Sequence, residues 1–153
     1  MIKLKSVARS AEIDIVPVRD RWYRLADCVE IEVKCLVDGV SRTIAYSFGE
    51  GFLFDGRSGG PLADLFVPNL GTQEEVACWL VHDANGYDVL LDFENTNELL
   101  QQMLRLSGHS KCKSWLVKLA VSISRSWFGE PIPGDREFPN VQLNLFDISW
   151  RST

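Results

Sequence analysis

Leu80-Val81-His82-Asp83 is the sharpest chemical feature of the chain. The four residues close an apolar helix, where adjacent His and Asp side chains diverge by about 100°, so an imidazole nitrogen and a carboxylate oxygen can reach one ion together. Such a pair suits a hydrolytic metal centre. The competing reading is a partly buried His hydrogen-bonded near Tyr87, with Asp83 solvated. Asp55 stands where the apolar run Phe52–Phe54 empties into a glycine turn, a position that aims a carboxylate out of a sheet edge. Alternatively it is an Asx-turn acid bonded to the backbone of Arg57 or Ser58. Asn97 is the third candidate. In a helix beginning near Glu94 it shares a face with Leu100 and Leu104, which puts an amide on an otherwise apolar surface. An amide oxygen can ligate a hard cation but cannot act as a general base. Its other reading is a first-turn Asn satisfying helix N–H groups.

Gly56-Arg57-Ser58-Gly59-Gly60 fits the G-x-S-x-G nucleophile pattern, and Ser58, Asp92 and His109 follow hydrolase chain order. The chain lacks the parallel strand–helix units that such a sheet needs, so the pattern reads as a glycine-rich turn. Cys78 lies one helical turn before His82, yet a helix-interior Cys in apolar company reads as packing. A P-loop, a G-x-G-x-x-G fingerprint and a zinc-type Cys/His array are all missing from the sequence.

The elements that must position these residues follow from periodicity. Val29, Ile31, Val33, Cys35 and Val37 alternate with Glu30, Glu32 and Lys34, a half-buried strand over 28–37. Asp38-Gly39 supplies a type I′ turn, and Val40–Phe48 returns with Ile44, Tyr46 and Phe48 on one side. Segments 12–16 and 21–25 are neighbouring strands, so the first fifty residues read as an antiparallel meander, with Pro17 at an edge or strand end. Pro61 is placed to start a helical turn through Phe66. Thr72 and Glu75 form a capping-box pattern for a helix that carries Val76, Ala77, Leu80, Val81 and Ala84 and stops at Gly86. A second helix from about Glu94 ends at Gly108. A third, Lys111 to Phe128, is apolar around most of its circumference (Trp115, Leu116, Leu119, Ala120, Ile123, Trp127), which predicts burial between other elements. Val141, Leu143 and Leu145 suggest a last strand rejoining the sheet. The expected fold is α+β: an N-terminal antiparallel sheet packed against three to four helices, closed by a C-terminal strand, in one domain over 1–153.

Composition agrees. With 153 residues, 46% of them hydrophobic and 24% charged, the chain has the balance of a globular domain, not of a disordered, collagenous or disulfide-dense one. Charge interrupts every apolar stretch before about 18 residues, so no bilayer span is expected. The basic N-terminus lacks the apolar block of a signal peptide, which predicts a cytoplasmic protein. Cys28, Cys35, Cys78 and Cys112 form no C-x-x-C pair and read as reduced, buried thiols. Residues 52–100 hold one basic and nine acidic side chains, within a chain of net charge −5. That imbalance disfavours phosphate-backbone binding there, so nucleic acid is not an expected partner, and it favours a cation or a basic protein. A solvated acidic face is the plainer explanation.

Gly51-Phe52-Leu53-Phe54-Asp55-Gly56-Arg57-Ser58, followed by Val81-His82-Asp83-Ala84-Asn85-Gly86-Tyr87 and then a polar start to an apolar helix, resembles a family of small phage- and prophage-encoded proteins of unknown function. The likeness spans about 49–129, and its most specific part runs from His-Asp to Tyr. The chain departs from the family pattern at Gly59-Gly60 before Pro61, at the lengthened step Ala84-Asn85-Gly86, and at Asn97, where the family carries Asp. The last departure removes a charge from any shared metal site and predicts a weaker or inactive centre. A second, local likeness links Ala77–Asp83 to the metal helix of phosphohydrolases named for their His-Asp pair, whose all-helical fold needs an earlier His that this chain lacks.

The resemblance implies a phage setting, in host cytoplasm if phage-encoded. Joined to the residues, it supports two expectations. One is a metal-assisted hydrolase in which Asp55, His82 and Asp83 bind a divalent Zn, Mn or Mg ion and carry catalysis, with Ser58, Tyr87 and Asn97 toward substrate. The other is a non-catalytic phage assembly or host-interaction protein, binding a protein partner through exposed aromatics such as Trp22, Tyr23 or Trp150.

Overall fold

The first strand, β1, covers Ile2–Arg9 and carries its apolar residues out of phase. Ile2 and Leu4 face inward, a bulge intervenes between Leu4 and Ser6, and Val7 and Arg9 resume one position later. That slip hides the strand from a search for strict alternation, because a bulge adds one residue to the pleat. The computed structural model describes residues 1–19, 22–54, 71–87, 90–128 and 145–151. Its further strands are β2 (Ile15–Arg19), β3 (Trp22–Leu25), β4 (Val29–Val37), β5 (Val40–Phe48), β6 (Leu53–Phe54) and β7 (Phe146–Arg151). Its helices are α1 (Gln73–Tyr87), α2 (Phe93–Leu106) and α3 (Lys111–Phe128).

The fold is α+β, as expected, but the strands do not form one meander. β1, β4, β5 and β7 make an antiparallel sheet in the order β1-β4-β5-β7, while β2, β3 and β6 make a second, smaller one. Pairing across sequence lets β1 sit beside β4, with Val7 opposite Val33 and Ile2 opposite Val37. The β4–β5 hairpin turns through Asp38 at φ 50° and Gly39 at φ 82°, the left-handed pair a type I′ turn requires. Pro17 lies in β2, an edge strand of the small sheet, beside a register shift between Pro17 and Arg19, the setting in which a strand tolerates proline. β7 joins the free side of β5, with Ile148 opposite Tyr46. The proposed helical turn at 61–66 and the strand residues at 141–144 lie outside the described residues.

Two glutamines tie sheet to helices. Gln102 of α2 accepts from Leu4 N at 2.6 Å and donates to Ile2 O at 2.9 Å, so one amide completes the exposed edge of β1. Gln73 at the start of α1 brackets the backbone of Ile13, in the segment between β1 and β2, accepting from its N at 2.5 Å and donating to its O at 3.0 Å.

Helix boundaries follow local chemistry. Thr72 Oγ1 accepts from Glu75 N and caps α1, which continues one residue beyond Gly86. Asp92 caps α2 by accepting from Asn95 N at 2.7 Å. Gly108 ends it at φ 110°: Gly108 N reaches Arg105 O and His109 N reaches Leu104 O, the paired bonds of a Schellman motif.

The burial of the helices inverts one expectation. α1 is the enclosed helix: every residue from Val76 to Asn85 is buried, polar ones included. α3 turns Val117, Ala120 and Val121 inward but leaves Trp115 51% and Leu119 40% exposed, so it covers the core from outside. Sequence periodicity reports how apolar a helix is, whereas enclosure depends on how many neighbours pack around it. The thiols need a similar correction, since Cys35 and Cys78 are buried while Cys28, at the turn before β4, and Cys112, on the outer face of α3, are exposed. Among the described residues no helix is long and apolar enough to cross a membrane.

Glu98 of α2 is held by the Lys118 ammonium and by Gln102 Nε2, at 3.1 Å for the latter. Burial pushes its carboxyl pKa up, but these hydrogen bonds outweigh burial and leave it below its ordinary value of 4.5. A lowered folded pKa contributes stability that is present above the unfolded value and lost as pH falls through the folded one. Urea denaturation between pH 6 and pH 3 is therefore expected to show an acid loss that Glu98→Gln reduces by roughly 0.5–1 kcal/mol. Identical acid limbs for both proteins would refute this.

Candidate functional site

α1 carries His82 and Asp83 in its last two turns, and both are buried, the imidazole 7% and the carboxylate residue 4% exposed. Asp83 is therefore not the solvated acid of the competing sequence reading. His82 Nδ1 lies 3.6 Å from Asp83 Oδ1, which is longer than a hydrogen bond. On its other side, His82 Nε2 lies 3.2 Å from Asn97 Oδ1 in the first turns of α2. Asn97 shares its buried face with Leu100 and Leu104, as the spacing requires. The line then continues outward to α3: Asn97 Nδ2 donates to Ser122 Oγ at 3.2 Å, and Ser122 Oγ donates to Lys118 O at 2.8 Å. One line of hydrogen bonds thus crosses from α1 through α2 to α3. Trp79, three residues before His82, meets the imidazole edge-on with ring centroids 6.5 Å apart.

A second buried polar pair anchors the same helix to the sheet. Tyr46 of β5 and Asn85 of α1 exchange hydrogen bonds, the hydroxyl reaching Oδ1 at 3.3 Å and Nδ2 reaching the hydroxyl at 3.1 Å. Burial pushes the Tyr46 phenol far above its ordinary pKa of 10.0, only partly offset by the Asn85 hydrogen bond. The sequence places Asn85 only in the lengthened step before Tyr87. Its bond to Tyr46, 39 residues away, belongs to tertiary structure and has no local sequence signal.

His82, Asp83 and Asn97 are brought together; Asp55, Ser58 and the side chain of Tyr87 lie outside the described residues. Among the described residues no group of three or more His, Cys, Asp and Glu side chains is arranged to hold a metal. Asp92 of the hydrolase-like order is engaged in capping α2, while His109 Nε2 lies 3.1 Å from Glu75 Oε1. Cys78 Sγ donates to Glu74 O, and burial drives its thiol pKa far upward, so it is no thiolate partner for His82. Of the aromatics expected at a docking surface, Tyr23 is half-buried against Phe54, Trp150 is exposed beneath Arg42, and the Trp22 side chain lies outside the described residues. A cavity of about 370 Å³ opens between β1, α1 and α2, lined by Val7, Arg9, Ala77, Cys78 and Met103 among others, but none of the candidate site residues lines it.

Ser122 is the member of the cluster that sequence reasoning missed. Its only signal was a hydroxyl on a helix otherwise apolar at that level. No protein family, curated protein or solved structure matches the chain.

Proposed function

We propose that the chain belongs with the small phage- and prophage-encoded proteins it resembles, and that it is a metal-assisted hydrolase whose divalent cation is held by His82, Asp83 and Asp55. The 3.6 Å separation of His82 Nδ1 and Asp83 Oδ1 carries this reading. Zinc bonds of about 2.0–2.2 Å at a tetrahedral angle require donor atoms roughly 3.4 Å apart, so the two atoms fit one cation while being too far apart for a hydrogen bond. An imidazole with carboxylates suits Zn or Mn, and Mg less well. Such an ion supplies Lewis-acid activation of water for hydrolysis. The protein's own contribution is a buried ligand pair with Trp79 and Asn97 against the imidazole, which Asn97 orients from behind. Burial of Asn97 at 2% exposure, with both ends of its amide bonded, supports an orienting role for it in preference to substrate contact.

Calorimetric titration of chelator-treated protein with Zn and Mn tests the reading. Saturable one-to-one binding is expected, abolished in His82→Ala and weakened at least tenfold in Asp55→Asn and Asp83→Asn. Absence of heat, together with an unchanged melting temperature at saturating metal, would sink it and favour the assembly or host-interaction reading, which the exposed Trp115, Leu119 and Trp150 support.

A further inference from the structure

The hydrogen-bond line behind His82 has a polarity, and the polarity is set at its far end. Ser122 Oγ has a single proton, and the 2.8 Å contact directs that proton to Lys118 O. The hydroxyl can then only accept from Asn97, so the group 3.2 Å away is the amide NH2. The carbonyl oxygen of Asn97 must therefore face His82, and an oxygen accepts. It follows that the Nε2 atom of a neutral His82 carries the proton. Reversing the amide would set the Asn97 NH2 against Nε2 and turn its oxygen toward a Ser122 hydroxyl whose one proton is already given to Lys118 O, opposing two acceptors.

We infer that Asn97 and Ser122 are positioning residues that hold His82 as the Nε2–H tautomer, leaving the Nδ1 lone pair on the side of Asp83. The inference deepens the proposed function, on which its consequence for a cation rests. Histidines that ligate metals commonly donate the other ring N–H to an oxygen that fixes tautomer and orientation. Asn97 supplies that oxygen. The amide in place of the family's carboxylate is then not a lost ligand, because position 97 stands behind the imidazole and keeps the acceptor the ring needs.

Long-range proton–nitrogen correlation NMR on metal-free, nitrogen-15-labelled protein above neutral pH tests this, with His109→Gln assigning the two histidines. The expected result is a His82 proton on Nε2, protected from solvent exchange. In Ser122→Ala its exchange is expected to be about five- to tenfold faster, the effect of losing one buried hydrogen bond, and Ser122→Thr is expected to restore the wild-type rate. A proton on Nδ1 in the wild-type protein, or a Ser122→Ala rate equal to wild type, overturns the inference. Because these measurements contain no metal, the two readings fail separately. A missing zinc isotherm with the Nε2–H tautomer intact refutes the metal reading and upholds the positioning role.

Discussion

Trp79→Ala is expected to destabilise the protein by about 3–5 kcal/mol, the range for a buried Trp or Phe truncated in a core. Trp79 is fully enclosed at the centre of α1, among Leu80, Leu99 and Phe54 of the same apolar cluster. At this chain length each kcal/mol shifts the melting temperature by roughly 2–4 °C, so a fall on the order of 10 °C is predicted. Trp79→Phe separates volume from polarity. The indole Nε1–H is buried without a hydrogen-bond partner among the described residues, so removing it offsets about 1–3 kcal/mol of what the lost area takes away. Thermal and urea melts followed by circular dichroism should rank wild type and Trp79→Phe close together and Trp79→Ala far below. Equal loss in both variants would show that the indole N–H is bonded after all.

The Tyr46–Asn85 pair is expected to be the second most sensitive point. Tyr46→Phe strands the Asn85 amide and Asn85→Ala strands the phenol, each in the buried layer between β5 and α1, so each single change is expected to lose about 1–3 kcal/mol. The double variant should lose less than the sum, with a coupling of roughly 1–2 kcal/mol in a double-mutant cycle. Strict additivity would mean that the two groups do not depend on each other. The alkaline limb carries an independent signature. Because the folded phenol has a raised pKa, its contribution is fully present below the ordinary value of 10.0 and is lost as pH rises above it. Wild type should therefore lose stability above about pH 10 more steeply than Tyr46→Phe. The buried Cys78 thiol, raised chiefly by desolvation, remains in both proteins and cancels in the comparison, while Cys35 adds to the raised pKa of Tyr46.

Together these residues explain why a polar cluster survives in an enclosed helix. Asn85 and Asn97 flank the His82–Asp83 dipeptide from opposite partners, the sheet and α2, and each buried amide is bonded at both ends. Satisfied networks of this kind stiffen a core, whereas half-satisfied ones weaken it. α1 can therefore be apolar in composition, polar in its last turns and buried throughout.

By itself the sequence determined the β4–β5 hairpin and its Asp38-Gly39 turn, the N-cap at Thr72, the stop at Gly108, the limits of α3, and the shared face of Asn97, Leu100 and Leu104, whereas the cap at Asp92 emerged only in the structure. All of these depend on contacts within a few positions along the chain, where periodicity, turn chemistry and capping act directly. Only tertiary structure decided that β1 pairs with β4 across a bulge, that the strands divide between two sheets, and that α1 is enclosed while α3 lies outside. It also brought His82 to Asn97 and Asn97 to Ser122, from three separate helices. Those outcomes depend on which surfaces meet. A side chain's burial and the direction of its hydrogen bonds belong to the neighbours that folding brings to it, and residues 15 and 25 positions apart leave no periodic trace of their meeting.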